Sequence, residues 1–451
     1  MTPQHAIIRL PGETYPQALT RLVPTPPIDL ALACKQHAAY LQALRQCGLD
    51  VIALPPDDDS HGTTILTIRP LRRGASLAAD RLKFQIGGRA RNRKSEEVVV
   101  DVESLLSEWD GETVIVHHDK PAGAWFFVAI HSTRLGPAAG GTRMKSYPNL
   151  QAALQDALRL SAGMTYKFAV PGIRYGGGKA VIAVPAGFAL QSRPALLRRY
   201  GALIRQLGGL YYTAPDVGTS SADMDIVAET GAPYVFGRTL AAGGMGDTGP
   251  ITALGVFAGI QVVCEHLFGD ASLTGRHVLV QGTGQVGGKL IEHLRTAGAE
   301  VLFNDVAEAA IRHFRDELGL KFVPAEAVYE TECDVFSPCA LGGILNATSI
   351  PQMQCRAVAG GANNQLGVPE DAERLRARGI LYAPDYVINV GGAMGGIGIE
   401  TMGWSYAQAE KEVVESIQRT LRQIFGTATA QGITTEAAAR SMAEERLRAE
   451  T

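Results

Sequence analysis

Apolar residues in this chain recur with two periods, and the switches between them mark its elements. Ala6 to Leu10 is a short apolar run that predicts a strand. Asp29 can cap a helix in which Ala33, His37, Tyr40, Leu41 and Leu44 recur at helical spacing, with Gly48 ending it. The runs VIAL and TTILTI add two strands, so the first 95 residues read as a small α/β module. From Ile86 to Glu97, glycines and charges without an apolar period predict a linker, and its Arg89, Arg91, Arg93 and Lys94 read as a solvated run rather than an anion site. Beyond Thr113, TVIVHHD and WFFVAIH predict a hairpin around DKPAGA. A helix follows in which Leu150, Leu154 and Leu158 form one row, with Ala153, Ala157, Leu160 and Met164 beside it. The second half opens with a helix beginning near Thr252, then alternates apolar strands with helices and ends in a charged helical tail from Ala407. The tail is expected to pack back on the domain of the first hairpin and helix. The predicted division is a front module at 1–95, a first main domain at 96–248 completed by 405–451, and a second at 249–404.

Length agrees with this division, because 451 residues exceed one ordinary core and suggest two or three domains. Charge then narrows the partners. With 42 basic and 45 acidic residues the net charge is −3, which favours neither nucleic acid nor an anionic membrane. No basic leader opens the chain and no apolar stretch stands out as a membrane span, so a cytoplasmic protein is expected. Six scattered cysteines without metal-ligand spacing read as reduced thiols, and no metal is expected.

Candidate chemistry concentrates at 163–182, GMTYKFAVPGIRYGGGKAVI. Lys167 and Lys179 stand twelve positions apart, and the triple glycine before Lys179 would let a ligand lie against bare backbone. Desolvation and a second nearby cation both disfavour an ammonium, so such a lysine is a candidate general base near neutral pH. The alternative is a glycine-rich turn followed by a surface lysine. Asp216, after the aromatic strand YYTAP, lies in a loop where a carboxylate can meet the lysines, although Asp-Val-Gly also suits a plain turn.

The stretch VLVQGTGQVGGKLIEHLRTAGAEVLFNDV is more specific. A strand runs into Gly282, Gly284 and Gly287 in GxGxxG spacing, Gln285 and Val286 lie inside the turn, a helix follows, and the next strand ends at Asp305. The glycines let a pyrophosphate approach the helix N-terminus, where unpaired N–H groups favour negative charge. Asp305 would accept from the adenosine ribose and repel a 2′-phosphate, and no arginine follows until Arg312, so NAD is favoured over NADP. Later strand-ending loops carry Cys339, Ala340, Asn363 and Asn389; they would line the nicotinamide side, with turn formation the competing role for the asparagines.

From about Glu112 onward, LGPAAGGTRM, RLSAGMTYK, GGGKAVI, APDVGTSSADMD, GQVG, SPCALGGILN, GGANNQL and APDYVINVGG occur in the order of the glutamate/leucine/phenylalanine/valine dehydrogenases, which the chain resembles, the leucine dehydrogenase branch most. The resemblance implies an α/β protein with a substrate domain and a Rossmann NAD domain flanking a cleft, assembled as a homo-oligomer. It implies that Lys167 grips the substrate carboxylate, Lys179 activates the attacking water, and Asp216 shuttles a proton at the substrate nitrogen. Thr252 and the Asn363 region would contact the nicotinamide and its ribose, while Ala139, Gly140, Gly141, Met164, Val390 and Ala393 would line the substrate site. Leucine-specific members usually carry leucine where this chain has Ala139, which implies a deeper pocket. No charge stands at these positions, so a large apolar amino acid, branched, longer or aromatic, is expected rather than glutamate. The implied reaction converts an L-amino acid, NAD⁺ and water to the 2-oxo acid, ammonium and NADH.

The opening segment PIDLALACKQHAAYLQALRQCGLDVIALPPDDD resembles the start of a dimethylarginine dimethylaminohydrolase over about 80 residues. It lacks that family's Phe-x-Glu-Asp pattern, so a scaffold for oligomer contacts or active-site access is expected, not hydrolysis. Two other readings compete with the dehydrogenase for an apolar substrate. One is a catalytically silent NAD-binding scaffold, and the other a dehydrogenase for a guanidino amino acid.

Overall fold

The computed structural model describes residues 5–9, 50–54, 66–68 and 102–449. Strands β1 (His5–Arg9) and β2 (Asp50–Leu54) pair in parallel. The helix expected after Asp29, the linker at 86–97, Cys34 and Cys47 lie outside the described residues. Strand β3 (Leu66–Ile68), expected in the front module, lies near β1 of that module and also pairs antiparallel with β4 (Thr113–Asp119), Leu66 opposite Val116, and so edges the sheet of the first main domain. Its run TTILTI matches a β-branched neighbour as well as it would a module of its own, and periodicity alone does not choose the partner.

Helix α1 (Val102–Trp109) precedes β4, which forms the expected hairpin with β5 (Ala124–Ser132). Then follow β6 (Ala138–Lys145), α2 (Leu150–Ala169), β7 (Gly176–Ala183), α3 (Arg193–Gln206), β8 (Tyr211–Pro215) and α4 (Ser221–Gly231). The sheet order is β3-β4-β5-β7-β6-β8. Helices cover both faces: Val114, Phe127 and Val181 pack with α1 and α2, while Ile115, Phe126 and Ile182 pack with α3. Covered strands lose the polar positions of a half-exposed sheet, hence the unbroken run WFFVAI. Asn149 caps α2, its side chain accepting from Ala152 N at 2.8 Å. The buried row of α2 begins at Ala153 and Leu154, because Leu150 in the first turn is exposed.

The second domain starts at α5 (Gly249–Phe268), three residues before the expected Thr252, with Pro250 in its first turn. By length and composition α5 can cross a membrane, which the expectation of no spanning stretch did not anticipate; its most apolar window is 61% buried, and it packs on its helical neighbours. Next come β9 (His277–Gln281), α6 (Gln285–Thr296), β10 (Glu300–Asn304), α7 (Glu308–Arg312), β11 (Lys321–Phe322), β12 (Cys333–Pro338), β13 (Cys355–Val358), α8 (Asp371–Ala377), β14 (Leu381–Tyr382), α9 (Asp385–Ile388) and α10 (Gly391–Met402). All six strands are parallel in the order β11-β10-β9-β12-β13-β14, the doubly wound arrangement of dinucleotide folds.

The tail expected on the first domain divides. Helix α11 (Tyr406–Gln431) packs on α5 and α10, whereas α12 (Thr435–Ala449) packs on α2, where Arg446 donates to the carbonyls of Ala169 and Val170. One apolar core runs through both domains, from Ala139 and Phe168 to Ile388 and Val390.

Candidate active site

Strand register assembles the reactive centre. Parallel pairing sets Thr142 of β6 beside Ala180 of β7 and Pro215 of β8, which brings Arg143, Lys179 and Asp216 to one end of the sheet. The triple glycine does not open this end to a ligand as expected. A Cβ on Gly177 would lie 2.1 Å from Thr165 N, and one on Gly178 would lie 2.8 Å from the Tyr211 ring. Those glycines let α2 and Tyr211 pack directly against the strand. The bare backbone at the reactive pair is Gly141, whose Cβ would stand 2.8 Å from Asp216 Cβ and 3.3 Å from Lys179 Nζ. A Cβ on neighbouring Gly140 would overlap the Gly178 carbonyl and reach within 3.4 Å of Met164.

Lys179 Nζ lies 3.2 Å from Oδ2 of Asp216, with the lysine side chain 7% exposed. Burial lowers the lysine pKa, Asp216 raises it, and the cation of Arg143 lowers it again; the result lies below the ordinary value. Burial pushes Asp216 up, but the charges of Lys179 and Arg143 outweigh it and hold the carboxylate below its usual range. Arg143 Nε donates to the same Oδ2 at 2.9 Å. Its NH1 donates to Asp156 of α2 at 3.0 Å, and Asp156 also accepts from Tyr147 OH at 2.7 Å. Neither Arg143 nor Asp156 was picked out from the sequence, although Arg143 sits inside LGPAAGGTRM. Its partners lie 13 and 73 residues away, and only the fold reveals them.

Lys167 projects from the last turn of α2 toward the second domain and donates to Oδ1 of Asn389 at 2.6 Å. Asn389 in turn donates to Asn363 Oδ1 at 2.8 Å and to the carbonyl of Gly361 at 3.2 Å. Burial lowers the Lys167 pKa, Asp385 raises it and Lys179 lowers it, leaving it at about 8. The two expected lysines thus feel each other's charge, but in this arrangement Lys167 bonds to the opposite wall of the cleft.

The glycine turn fits a dinucleotide. Gly282 has φ +88°, which favours glycine, and a Cβ on Gly287 would lie 1.9 Å from the Gly282 carbonyl, so the turn and helix α6 meet without side chains. Gly284 is the N-cap of α6, and a Cβ there would meet nothing within 4 Å, which leaves room for a pyrophosphate before Gln285 and Val286. Cys339 N donates to Gln281 O at 2.7 Å, placing Cys339 and Ala340 at the crevice between β9 and β12 where strand order reverses. Burial raises the Cys339 thiol pKa, which disfavours the thiolate. Asp305 accepts from both N and Oγ1 of Thr283 at 2.7 Å and from Ala307 N at 2.9 Å. These bonds outweigh the burial that would raise its pKa and keep it ionised. Thr283, between the first two glycines, is a third residue that the sequence pattern does not single out. Thr252 stands near the start of α5 against Gly392, whose Cβ would come 2.6 Å from its Oγ1.

The apolar residues expected at the substrate side chain belong to, or pack against, the core that runs through both domains. Ala139 and Val390 are fully or almost fully buried, and Met164 and Ala393 pack against the same cluster.

Residues 119–232 match the family model Glu/Leu/Phe/Val dehydrogenase, dimerisation domain, and residues 303–450 match Glutamate/Leucine/Phenylalanine/Valine dehydrogenase. The leucine dehydrogenase of Geobacillus stearothermophilus is 42% identical over 342 residues, spanning 76% of this chain and 92% of that enzyme. The chain belongs to the Glu/Leu/Phe/Val dehydrogenase family. Within that family it is also similar to the valine dehydrogenase of Streptomyces virginiae, 42% identical over 74% of this chain and 93% of that enzyme. The solved L-tryptophan dehydrogenase from Nostoc punctiforme superposes with a TM-score of 0.66 at 39% identity, covering 77% of this chain and 98% of that one. As a Glu/Leu/Phe/Val dehydrogenase the protein is an enzyme of the nicotinamide-dependent amino-acid dehydrogenase class.

Proposed function

We propose that the protein is an NAD-dependent dehydrogenase that reversibly deaminates an L-amino acid with a large apolar side chain. The reaction takes the amino acid, NAD⁺ and water to the 2-oxo acid, ammonium, NADH and a proton. The observation that carries this reading is the buried Lys179–Asp216 pair, 3.2 Å apart, beside the bare backbone of Gly141 and one residue on from Gly140, where a Cβ would come 3.4 Å from Met164.

When bound, the nicotinamide supplies a hydride acceptor for the amino acid Cα. Gly282, Gly284, Gln285, Val286 and Gly287 would hold the pyrophosphate, Asp305 the adenosine ribose, and Thr252, Cys339, Ala340, Asn363 and Asn389 the nicotinamide end. Asp305 carries the choice of NAD over NADP, since an ionised carboxylate repels a 2′-phosphate.

This chain's residues do the proton work. Lys167, as the ammonium, pairs with the substrate carboxylate through the donors that Asn389 Oδ1 leaves open. Lys179 in its neutral form, which burial and Arg143 favour, takes a proton from water attacking the substrate iminium carbon, and a carbinolamine forms. Asp216, ionised at rest, takes the proton that the substrate ammonium loses before hydride transfer and returns it to the amine nitrogen of the carbinolamine; the C–N bond breaks, ammonia leaves, and the hydroxyl proton passes to Asp216 as the carbonyl forms. Burial between the domains excludes bulk water from the iminium.

The substrate domain of this reading comprises 96–248 with α12, and the NAD domain 249–404 with α11 packed on it. A homo-oligomer is supported by the dimerisation-domain description of the model over 119–232. A silent scaffold is disfavoured by the lysine–carboxylate pair, which burial makes costly to keep without use. The test is ammonium-dependent oxidation of NADH with apolar 2-oxo acids, lost in Lys179→Ala.

A further inference from the structure

Asp216 has two carboxylate oxygens, and the fold treats them differently. Both nearby cations approach Oδ2, Arg143 Nε at 2.9 Å and Lys179 Nζ at 3.2 Å. Among the described residues, no donor is assigned to Oδ1. We infer that Arg143, anchored through Asp156 to helix α2, is a positioning residue for the reaction: it turns Asp216 so that Oδ1 is left for the substrate nitrogen, and it sets a fixed positive charge against the Lys179–Asp216 pair. The inference rests on the reaction proposed above.

Geometry supports the first half. A guanidinium is planar and presents its donors in a fixed fork. Arg143 spends Nε on Asp216 and NH1 on both oxygens of Asp156, at 3.0 and 3.3 Å. Asp156 is fixed in turn by Tyr147 OH at 2.7 Å and Arg159 NH2 at 3.0 Å. The orientation of Asp216 is therefore referred to α2, the helix that also carries Lys167. A lysine at 143 would offer a charge without the fork.

Charge balance supports the second half. The groups facing Lys179 are Asp216 at the end of β8, Arg143 on β6 and Asp156 on α2, with Lys167 of α2 coupled to it through space. Arg143 and Arg159 supply two positive charges, and Asp156 and Asp216 two negative ones. The network is neutral when Lys179 is neutral. Without Arg143 it carries one uncompensated negative charge, and the least costly correction is a proton on Lys179. Asp156 acts in the opposite sense, because its charge favours the ammonium.

The opposed signs give the test. The full-length protein, labelled with ¹⁵N at lysine Nζ, is titrated without substrate as wild type, Arg143→Gln, Arg143→Lys and Asp156→Asn. The Lys179 signal is assigned by its loss in Lys179→Ala, and the pH profile of kcat/KM is measured in parallel. Arg143→Gln should move the Lys179 titration and the acid limb of kcat/KM upward by roughly one pH unit or more. Asp156→Asn should move both downward, and Arg143→Lys should keep them near wild type while kcat falls. A merely structural salt bridge predicts the same loosening, with the same sign, from either removal. Shifts of one sign, or no shift in either variant, overturn the inference. If Arg143→Gln does not fold, a downward shift in Asp156→Asn supports the charge assignment and an upward or absent one overturns it. Wild type without ammonium-dependent turnover would sink the proposed reaction instead, while the lysine titrations would still decide the charge assignment.

Discussion

Lys167 Nζ and Asn389 Oδ1 are 2.6 Å apart, a bond that crosses from the last turn of α2 to the loop after α9 and joins the two walls of the cleft. Its ammonium has three donors and gives one to Asn389, so two remain for the carboxylate it is proposed to hold.

That ammonium sets an alkaline limit. Burial first, and then the charge of Lys179, bring the Lys167 pKa down to about 8 against the opposing effect of Asp385. Below that pH the free enzyme presents a cation to the carboxylate, and above it a neutral amine. KM for the 2-oxo acid should therefore rise as pH increases through about 8. Lys167→Arg, whose charge persists, should flatten the rise even if kcat falls. A pH profile of KM in the two proteins checks this, and a rise of equal size in both would refute it.

Asp305 sets the cofactor choice through charge. Asp305→Asn keeps one oxygen, enough to accept from Thr283 at 2.7 Å or from Ala307 at 2.9 Å but not from both, and removes the repulsion of a 2′-phosphate. The ratio of kcat/KM for NADPH to that for NADH should rise by about tenfold or more, equivalent to ~1.4 kcal/mol. An unchanged ratio would mean that specificity lies elsewhere.

Ala139 is 2% exposed in the cluster that includes Val390 and Met164. Ala139→Leu should fill space at the end of the substrate site and shift relative kcat/KM from aromatic toward branched 2-oxo acids by roughly tenfold or more. Equal losses on both classes would show that this residue does not face the substrate.

Gly163 is an exposed interior residue of α2, and a Cβ there would meet nothing within 4 Å. Gly163→Ala should stabilise the protein by ~0.5–1 kcal/mol, mainly by restricting the unfolded chain. Denaturant unfolding monitored by circular dichroism measures it. Destabilisation would indicate that this face of α2 is covered in the assembled protein.

Local chemistry made much of this architecture readable. The glycine turn at 282–287, the hairpin of β4 and β5 and the buried faces of α2 each leave a periodic or motif signal within a few residues. Features set by distant partners left none. The edge strand β3 pairs across more than 40 residues, and the two helices of the tail share a helical pattern but pack on different domains. Gly177 and Gly178 were legible as bare backbone, but whether a ligand or another element fills that space depends on where α2 returns. Arg143 was hidden for the same reason: an arginine on a strand gives no hint that two aspartates from other elements will meet it.

The most direct measurement of the central claim follows NADH absorbance with purified protein, ammonium and a panel of aliphatic, aromatic, acidic and guanidino-bearing 2-oxo acids, with Lys179→Ala alongside. Wild type should turn over the apolar acids in an ammonium-dependent way, with kcat lowered roughly 10²–10⁴-fold in Lys179→Ala and NADH binding unchanged. Turnover confined to the acidic or guanidino acids, no turnover despite NADH binding, or a fully active Lys179→Ala would contradict it.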